Sequence, residues 1–165
     1  MAIVQAGLSD IPIIRKLSEQ IWMEYYPSII SEEQIRYMLE LMYSEQALTN
    51  QMTTLGHQFL LLIENGAPSG YASFSQHSIE KPHRFRLHKL YVLPILHGKG
   101  CGKSLLGTIC NEVASKGGKE IELNVNKRNQ AIGFYKRMGF IKESEVVVDI
   151  GSNFYMDDYI LVLSL

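Results

Sequence analysis

Apolar and polar positions alternate between two periods along this chain, and the switches between them mark its elements. Ala2–Ala6 has the look of a short strand. Ser9 or Asp10 then caps a helix that tolerates Pro12 in its first turn. Ile13, Ile14, Leu17, Ile21 and Tyr25 recur at helical spacing until Pro27 ends the run. Ser31-Glu32-Glu33-Gln34 has the form of a capping box. Ile35, Met38, Leu39 and Met42 supply the buried stripe of a second helix, and a third runs from about Ser44 to Thr54.

The period then shortens. Gln58–Glu64 and Gly70–Gln76 are strand-like around an Asn65-Gly66 turn, which predicts a hairpin. In the next strand Phe85, Leu87, Lys89 and Tyr91 share one face, and Arg86, His88, Leu90 and Val92 the other. Pro94 stops it. Leu105, Leu106, Ile109, Cys110 and Val113 form a helical stripe closed by Gly117-Gly118. A strand at Ile121, Leu123 and Val125, a short helix over Ala131–Met138, and strands over Phe140–Asp149 and Tyr155–Leu163 complete the order. The expected architecture is a single mixed α/β domain around one central sheet.

Composition sets outer bounds. The 165 residues are 46% hydrophobic and 20% charged, ordinary for a globular protein. No membrane-spanning run or signal peptide is apparent, so a cytoplasmic protein is expected. Cys101 and Cys110 lie too far apart on one helix to bridge and read as reduced thiols. The net charge of −1 is unevenly spread. Residues 1–65 carry eight acidic and three basic side chains, Lys81–Asn111 six basic and no acidic ones, and Glu143 onward five acidic and no basic ones. A basic centre between acidic flanks suits an anionic ligand in the middle and a cationic one at the edges, unless these are only solvated faces. The domain is not basic overall and lacks a single-strand stacking platform, so nucleic acid is not expected as a partner. His97, Cys101 and Cys110 have no recognised metal-ligand spacing.

The sharpest motif is Tyr91-Val92-Leu93-Pro94 followed by His97-Gly98-Lys99-Gly100-Cys101-Gly102-Lys103-Ser104. A strand enters, glycines turn the chain, and an amphipathic helix leaves. Glycines bring backbone N–H groups close to an anion, and the helix N-terminus adds its positive dipole end, an arrangement suited to a pyrophosphate. Gly102-Lys103-Ser104 has the ending of a Walker A loop, and Val146-Val147-Val148-Asp149 mimics a Walker B strand. However, His97 stands where Walker A needs glycine, and the spacing G-x-G-x-x-G of a dinucleotide fold is absent.

The loop resembles that of the GNAT superfamily of acetyl-CoA-dependent N-acetyltransferases, Gln/Arg-x-x-Gly-x-Gly/Ala after a strand ending Leu-Tyr-Val. Here Leu90-Tyr91-Val92 precedes it and both loop glycines match, while His97 replaces the usual Gln/Arg. A second block, Leu123-Asn124-Val125-Asn126 through Ala131-Ile132, Phe134-Tyr135 and Gly139-Phe140, is similar to the family's at matching spacing. The resemblance implies a mostly antiparallel central sheet flanked by helices. It also implies acetyl-CoA bound by Leu90, Tyr91 and Val92 through their backbone and by the loop His97, Gly98, Lys99, Gly100, Cys101, Gly102, Lys103 and Ser104. Tyr135 is implied as proton donor to the departing thiolate; by itself it also reads as a core tyrosine beside Phe134. Asn129 either bonds the cofactor or caps the helix carrying Tyr135.

For the general base, His88 has a suitable ordinary pKa. Glu24 with Tyr25 and Tyr26 is a second candidate group, placed in substrate binding, and a water chain is a third option. The expected partner is a small-molecule amine, with a homodimer left open. Glu24, Asp149, Asp157 and Asp158 are expected to form an acidic rim that draws a polyamine such as spermidine, and the C-terminal stretch Phe154–Leu161 loosely resembles bacterial spermidine/spermine acetyltransferases. A catalytically silent acetyl-CoA sensor, a protein or peptide N-acetyltransferase, and a phosphotransferase using Gly102-Lys103-Ser104 are the rival readings.

Overall fold

Each switch in hydrophobic period becomes an element in the computed structural model, which describes residues 1–165. The order is β1 (Ala2–Ala6), α1 (Ile11–Tyr25), α2 (Glu32–Tyr43), α3 (Glu45–Thr53), β2 (Gln58–Glu64), β3 (Ala67–Ser78), β4 (Lys81–Val92), α4 (Cys101–Ser115), β5 (Glu120–Asn126), α5 (Ala131–Arg137), β6 (Ile141–Gly151) and β7 (Phe154–Ser164). The seven strands run β1-β2-β3-β4-β5-β7-β6. The pairs β1–β2, β2–β3, β5–β7 and β6–β7 are antiparallel. The parallel pair β4–β5 is joined through α4, as a parallel crossover requires. Its ladder covers Arg84–Arg86 against Glu120–Glu122.

The chain folds into two compact units. The first comprises Met1–Ser75 and Lys89–Ile109. Its α1 buries Ile11, Ile14, Leu17, Ser18, Ile21 and Trp22, a stripe at helical spacing. Asp10 stands at the helix start, but its Oδ2 accepts the Gly7 N–H at 2.9 Å and so serves the preceding 3-10 turn rather than α1. Ser31 and Ser44 do cap: each Oγ accepts a backbone N–H three residues on, from Gln34 at 3.2 Å and Ala47 at 3.3 Å. The β2–β3 hairpin turns at Asn65 and Gly66, both at positive φ (50° and 77°), which the Asn-Gly pair accommodates. Gly70 is obligatory for a different reason: a Cβ there would stand 2.7 Å from the Tyr91 carbonyl oxygen and 3.2 Å from Val92 Cα.

The second unit comprises Gln76–His88 and Cys110–Leu165. Ile121, Leu123 and Val125 are buried on one face of β5, and Leu161 opposite Leu123 extends that layer. On the other face Glu122 is 4% exposed, held by Arg84 (3.3 Å) and His77 (3.0 Å). β6 forms the sheet edge, and Ile141, Val147 and Val148 are exposed along it. The Walker B likeness of Val146–Asp149 therefore falls on an exposed antiparallel edge strand, not on the buried parallel strand such a motif needs. No helix is long and apolar enough to cross a membrane.

Candidate functional site

The glycine loop is built from the end of β4. Val92 is buried, and the next residue, Leu93, donates its N–H to the Ser69 carbonyl at 2.9 Å, fixing where the strand lets go. Pro94–Leu96 forms a 3-10 turn. Gly98 and Gly100 follow at φ 78° and 84°, with nothing within 4 Å of the place a Cβ would occupy at either. Glycine is needed there for conformation, and the bare surface leaves room for a ligand against the backbone. Ser104 N–H donates to the Gly100 carbonyl at 2.9 Å, the bond that opens α4. The N–H groups of Cys101, Gly102 and Lys103 lie ahead of it, where a helix offers donors to an anion. The four residues from Cys101 to Ser104 are thus the first turn of the helix. Cys101 is buried beneath it, while Lys99 and Lys103 are exposed beside it. Both cysteines are free thiols. Positive-φ glycines, open backbone, a helix start and two flanking lysines fit a pyrophosphate group.

His97 is exposed but folds back on the strand: its Nε2–H donates to the Val92 carbonyl at 3.0 Å, and its ring meets Tyr25 edge-on with centroids 6.0 Å apart. It ties the loop to the strand that precedes it. Leu90 and Tyr91 are half-buried. The Tyr91 ring lies 5.4 Å from Tyr71 and 5.8 Å from Trp22, and its hydroxyl is 3.3 Å from that of Tyr26. Tyr26 stacks on Trp22 at 4.6 Å. Tyr25, Tyr26, Tyr91 and His97 are therefore brought together, whereas the neighbouring Glu24 is exposed. His88 is half-buried on β4, on the face opposite Lys89.

In the second unit Tyr135 is 8% exposed on α5, with its ring 5.3 Å from Phe134 and 5.5 Å from Phe140. Asn129 is buried, and its Oδ1 accepts the Ala131 N–H at 2.8 Å, so its side chain organises the start of α5 from one residue before the Gln130 cap position.

Two charge expectations change. Of the central basic residues, Arg84 is spent on Glu143 (2.9 Å), Glu120 (2.9 Å) and Glu122 (3.3 Å), and its hydrogen bonds to Glu143 and Glu120 hold its guanidinium well above its ordinary pKa. Arg86 reaches Asn124 (2.8 Å) and Glu122 (3.6 Å). The basic character left for an anion belongs to the loop lysines. The acidic rim also breaks up: Asp157 pairs with Lys127 at 2.7 Å, Asp149 accepts the Gly151 N–H of its own turn at 2.8 Å, and Asp158 is 1% exposed. Charges alike in sequence are separated by strand alternation and by partners the sequence does not announce.

One group escaped the sequence reading. Lys89 is 7% exposed and its Nζ donates to Gln51 Oε1 at 2.8 Å, over the rings of Tyr43 (5.1 Å) and Phe59 (5.7 Å). Gln51 is itself fixed by donating Nε2–H to the Met42 carbonyl at 2.8 Å. Burial pushes the Lys89 ammonium down to about 8. Its place in the otherwise apolar row Phe85, Leu87, Tyr91 was the available signal.

Comparison with known proteins bears directly on this loop. Residues 28–156 match the profile of the acetyltransferase (GNAT) domain. The chain is 34% identical over 93 residues to an uncharacterized N-acetyltransferase of Methanocaldococcus jannaschii, covering 54% of this chain and 41% of that one. It is 29% identical over 111 residues to the L-amino acid N-acyltransferase MnaT of Escherichia coli, covering 62% and 60%. The matched regions thus span less than two thirds of either relative. The crystal structure of PaiA N-acetyltransferase from Thermoplasma acidophilum in complex with coenzyme A superposes with a TM-score of 0.82 at 23% identity, over 100% of both chains. With the domain profile covering most of its length and a GNAT-type fold throughout, the chain belongs to the GNAT acetyltransferase family.

Proposed function

We propose that this protein transfers an acetyl group from acetyl-CoA to the primary amine of a small molecule. The observation that carries the reading is the loop: Gly98 and Gly100 at positive φ, open at their Cβ positions, leading into the N-terminus of α4. That surface suits the pyrophosphate of coenzyme A, with Lys99 and Lys103 adding charge. Acetyl-CoA supplies the activated thioester. The chain's own residues must hold it, take a proton from the incoming ammonium and return one to the sulfur as the carbon–sulfur bond breaks and the carbon–nitrogen bond forms. Leu90 and Val92 offer backbone groups at the end of β4 to the pantetheine arm and the acyl oxygen. Tyr135 holds a proton for the sulfur; with ordinary values near 10 for a phenol and about 8.5 for a thiol, its contribution is chiefly a strong hydrogen bond. His88, or water relayed to bulk, receives the amine proton.

Asp149, Asp157 and Asp158 do not stand together as one exposed rim, which weakens the case for a polycation over other amines. An amino acid and spermidine therefore enter on equal terms, the former because a relative is an L-amino acid N-acyltransferase. The test follows thiol release from acetyl-CoA with amino acids, spermidine, spermine, putrescine, aminoglycosides and peptides, beside calorimetric titration with acetyl-CoA and ATP. Turnover on one small amine and tight acetyl-CoA binding are expected. Tight ATP binding without acetyl-CoA binding ends the acetyltransferase reading. Acetyl-CoA binding without turnover makes the protein a sensor, and turnover on peptides alone makes it a peptide acetyltransferase.

A further inference from the structure

Asp158 lies within β7, opposite Asn126 of β5 on one side and Val146 of β6 on the other. Alternation puts it on one sheet face with Asn124 and Asn126, and with Met156 and Ile160 of its own strand. On the other face Gly139, two residues beyond α5, approaches Leu163. Asp158 is 1% exposed. The Asn124 amide donates to its carboxylate, and Asn124 is held in turn by Arg86 Nη2, which donates to Asn124 Oδ1 at 2.8 Å. Asp158 Oδ2 is buried and has no hydrogen-bond partner.

None of the surrounding cations hydrogen-bonds that oxygen, although Asp157, Arg86 and Lys127 act on the carboxyl through space. Arg86 on β4 is engaged by Asn124 and by Glu122. Glu122 on β5 is engaged by His77 and Arg84. Lys127, just past β5, is committed to Asp157 (2.7 Å) and Glu145 (3.3 Å). β6 contributes apolar Val146. A buried carboxylate oxygen left without a donor is costly, and such an oxygen is a candidate to receive a ligand. Burial accordingly pushes the Asp158 carboxyl up to about 6, a value at which it is still ionised at neutral pH.

A hydrogen-bonding cation on an aliphatic stem matches the chemistry around that oxygen. Val146, Met156 and Ile160 are half-buried, so the patch around the carboxylate borders solvent and offers an apolar wall. Asn126, opposite Asp158, is the last residue of β5, and the chain runs from it through Asn129 into the helix bearing Tyr135. We propose that Asp158 Oδ2 binds the ammonium group of the amine that this protein acetylates, an inference that rests on the acetyltransferase reading above.

The experiment has two arms. In the first, Asp158→Asn keeps the size and the bond to Asn124 but removes the charge. The KM for the amine rises at least tenfold, while acetyl-CoA affinity stays within twofold. Wild-type KM climbs as pH falls below about 6 and that of the variant does not. In the second arm, carbon-13 resonances of the four aspartate carboxyls are titrated in the wild-type chain. Asp158 is recognised by its high midpoint, and n-propylammonium chloride lowers that midpoint where sodium chloride at equal strength does not. An unchanged amine KM in a folded Asp158→Asn variant overturns the proposal. So does a midpoint that moves equally with both salts, which is also the deciding result where the variant does not fold. Absence of turnover in the wild-type protein defeats the acetyltransferase reading instead, and the propylammonium titration then decides the site alone.

Discussion

Replacing Lys89 by methionine isolates the effect of one buried ammonium on stability. In the unfolded chain this lysine titrates at its ordinary 10.5, and in the folded protein at about 8. Below about pH 8 both states carry the proton, and the fold bears the full cost of holding a charge out of water. Between about 8 and 10.5 the unfolded state binds more protons than the native one, so stability rises with pH. The whole interval corresponds to about 3 kcal/mol. Methionine removes that cost and fits the rings of Tyr43 and Phe59, but it leaves Gln51 Oε1 without its donor, a loss of about 1–3 kcal/mol. At pH 7 the variant is therefore expected to gain about 1–2 kcal/mol, a rise in Tm of roughly 2–8 °C for a chain of this size. By pH 9.5 the wild-type protein recovers about 2 kcal/mol as Lys89 deprotonates, and the advantage disappears. Thermal melts of both proteins from pH 7 to 9.5 measure the difference. Tyrosines and cysteines titrate in both, so their effects cancel. A difference that does not change with pH, or a variant several kcal/mol less stable at pH 7, would falsify the argument and make the ammonium a net stabiliser through Gln51 and the rings.

Three further outcomes are expected. Tyr135→Phe lowers turnover by roughly ten- to a thousand-fold with acetyl-CoA affinity nearly intact; steady-state rates beside calorimetry measure both, and undiminished turnover with chemistry rate-limiting assigns Tyr135 to packing. Gly100→Val forces a β-branched residue to φ 84° and places bulk where backbone now lies open, so acetyl-CoA binding weakens at least tenfold; unchanged affinity in a folded variant shows that the loop does not hold the cofactor. Gly70→Ala drives a Cβ against the Tyr91 carbonyl and costs about 1–3 kcal/mol, read as a Tm lower by several degrees, and an unchanged Tm means that β3 and β4 can part without penalty.

The course of the backbone was legible because it depends on local rules. Ser31 and Ser44 cap the helices they precede, Asn65-Gly66 turns the first hairpin, and Ile121, Leu123 and Val125 alternate into the core. The glycine loop was legible for the same reason, since positive φ at Gly98 and Gly100 is a property of single residues. What escaped depended on partners remote in sequence. Lys89 reads as a surface cation until Gln51, Tyr43 and Phe59 close around it. Asp157 and Asp158 look alike in the chain, yet alternation sends one to Lys127 and the other into the interior. The two could not be told apart beforehand, because a charge count along the chain carries no information about which face each charge occupies.

The edge strand β6 carries its own safeguard against unwanted assembly. Its exposed Val147 and Val148 lie between two breaks in ladder register, at Lys142/Ser144 and at Asp149/Gly151, and Glu143, Glu145 and Asp149 punctuate the same stretch. A foreign strand adding to this edge would find only a brief regular segment before the backbone kinks away at either end, and another acidic strand would meet like charge. Growth of a β-stack from β6 is therefore self-terminating. The acidic side chains Glu143, Glu145 and Asp149 thus bear on which strands this edge can accept.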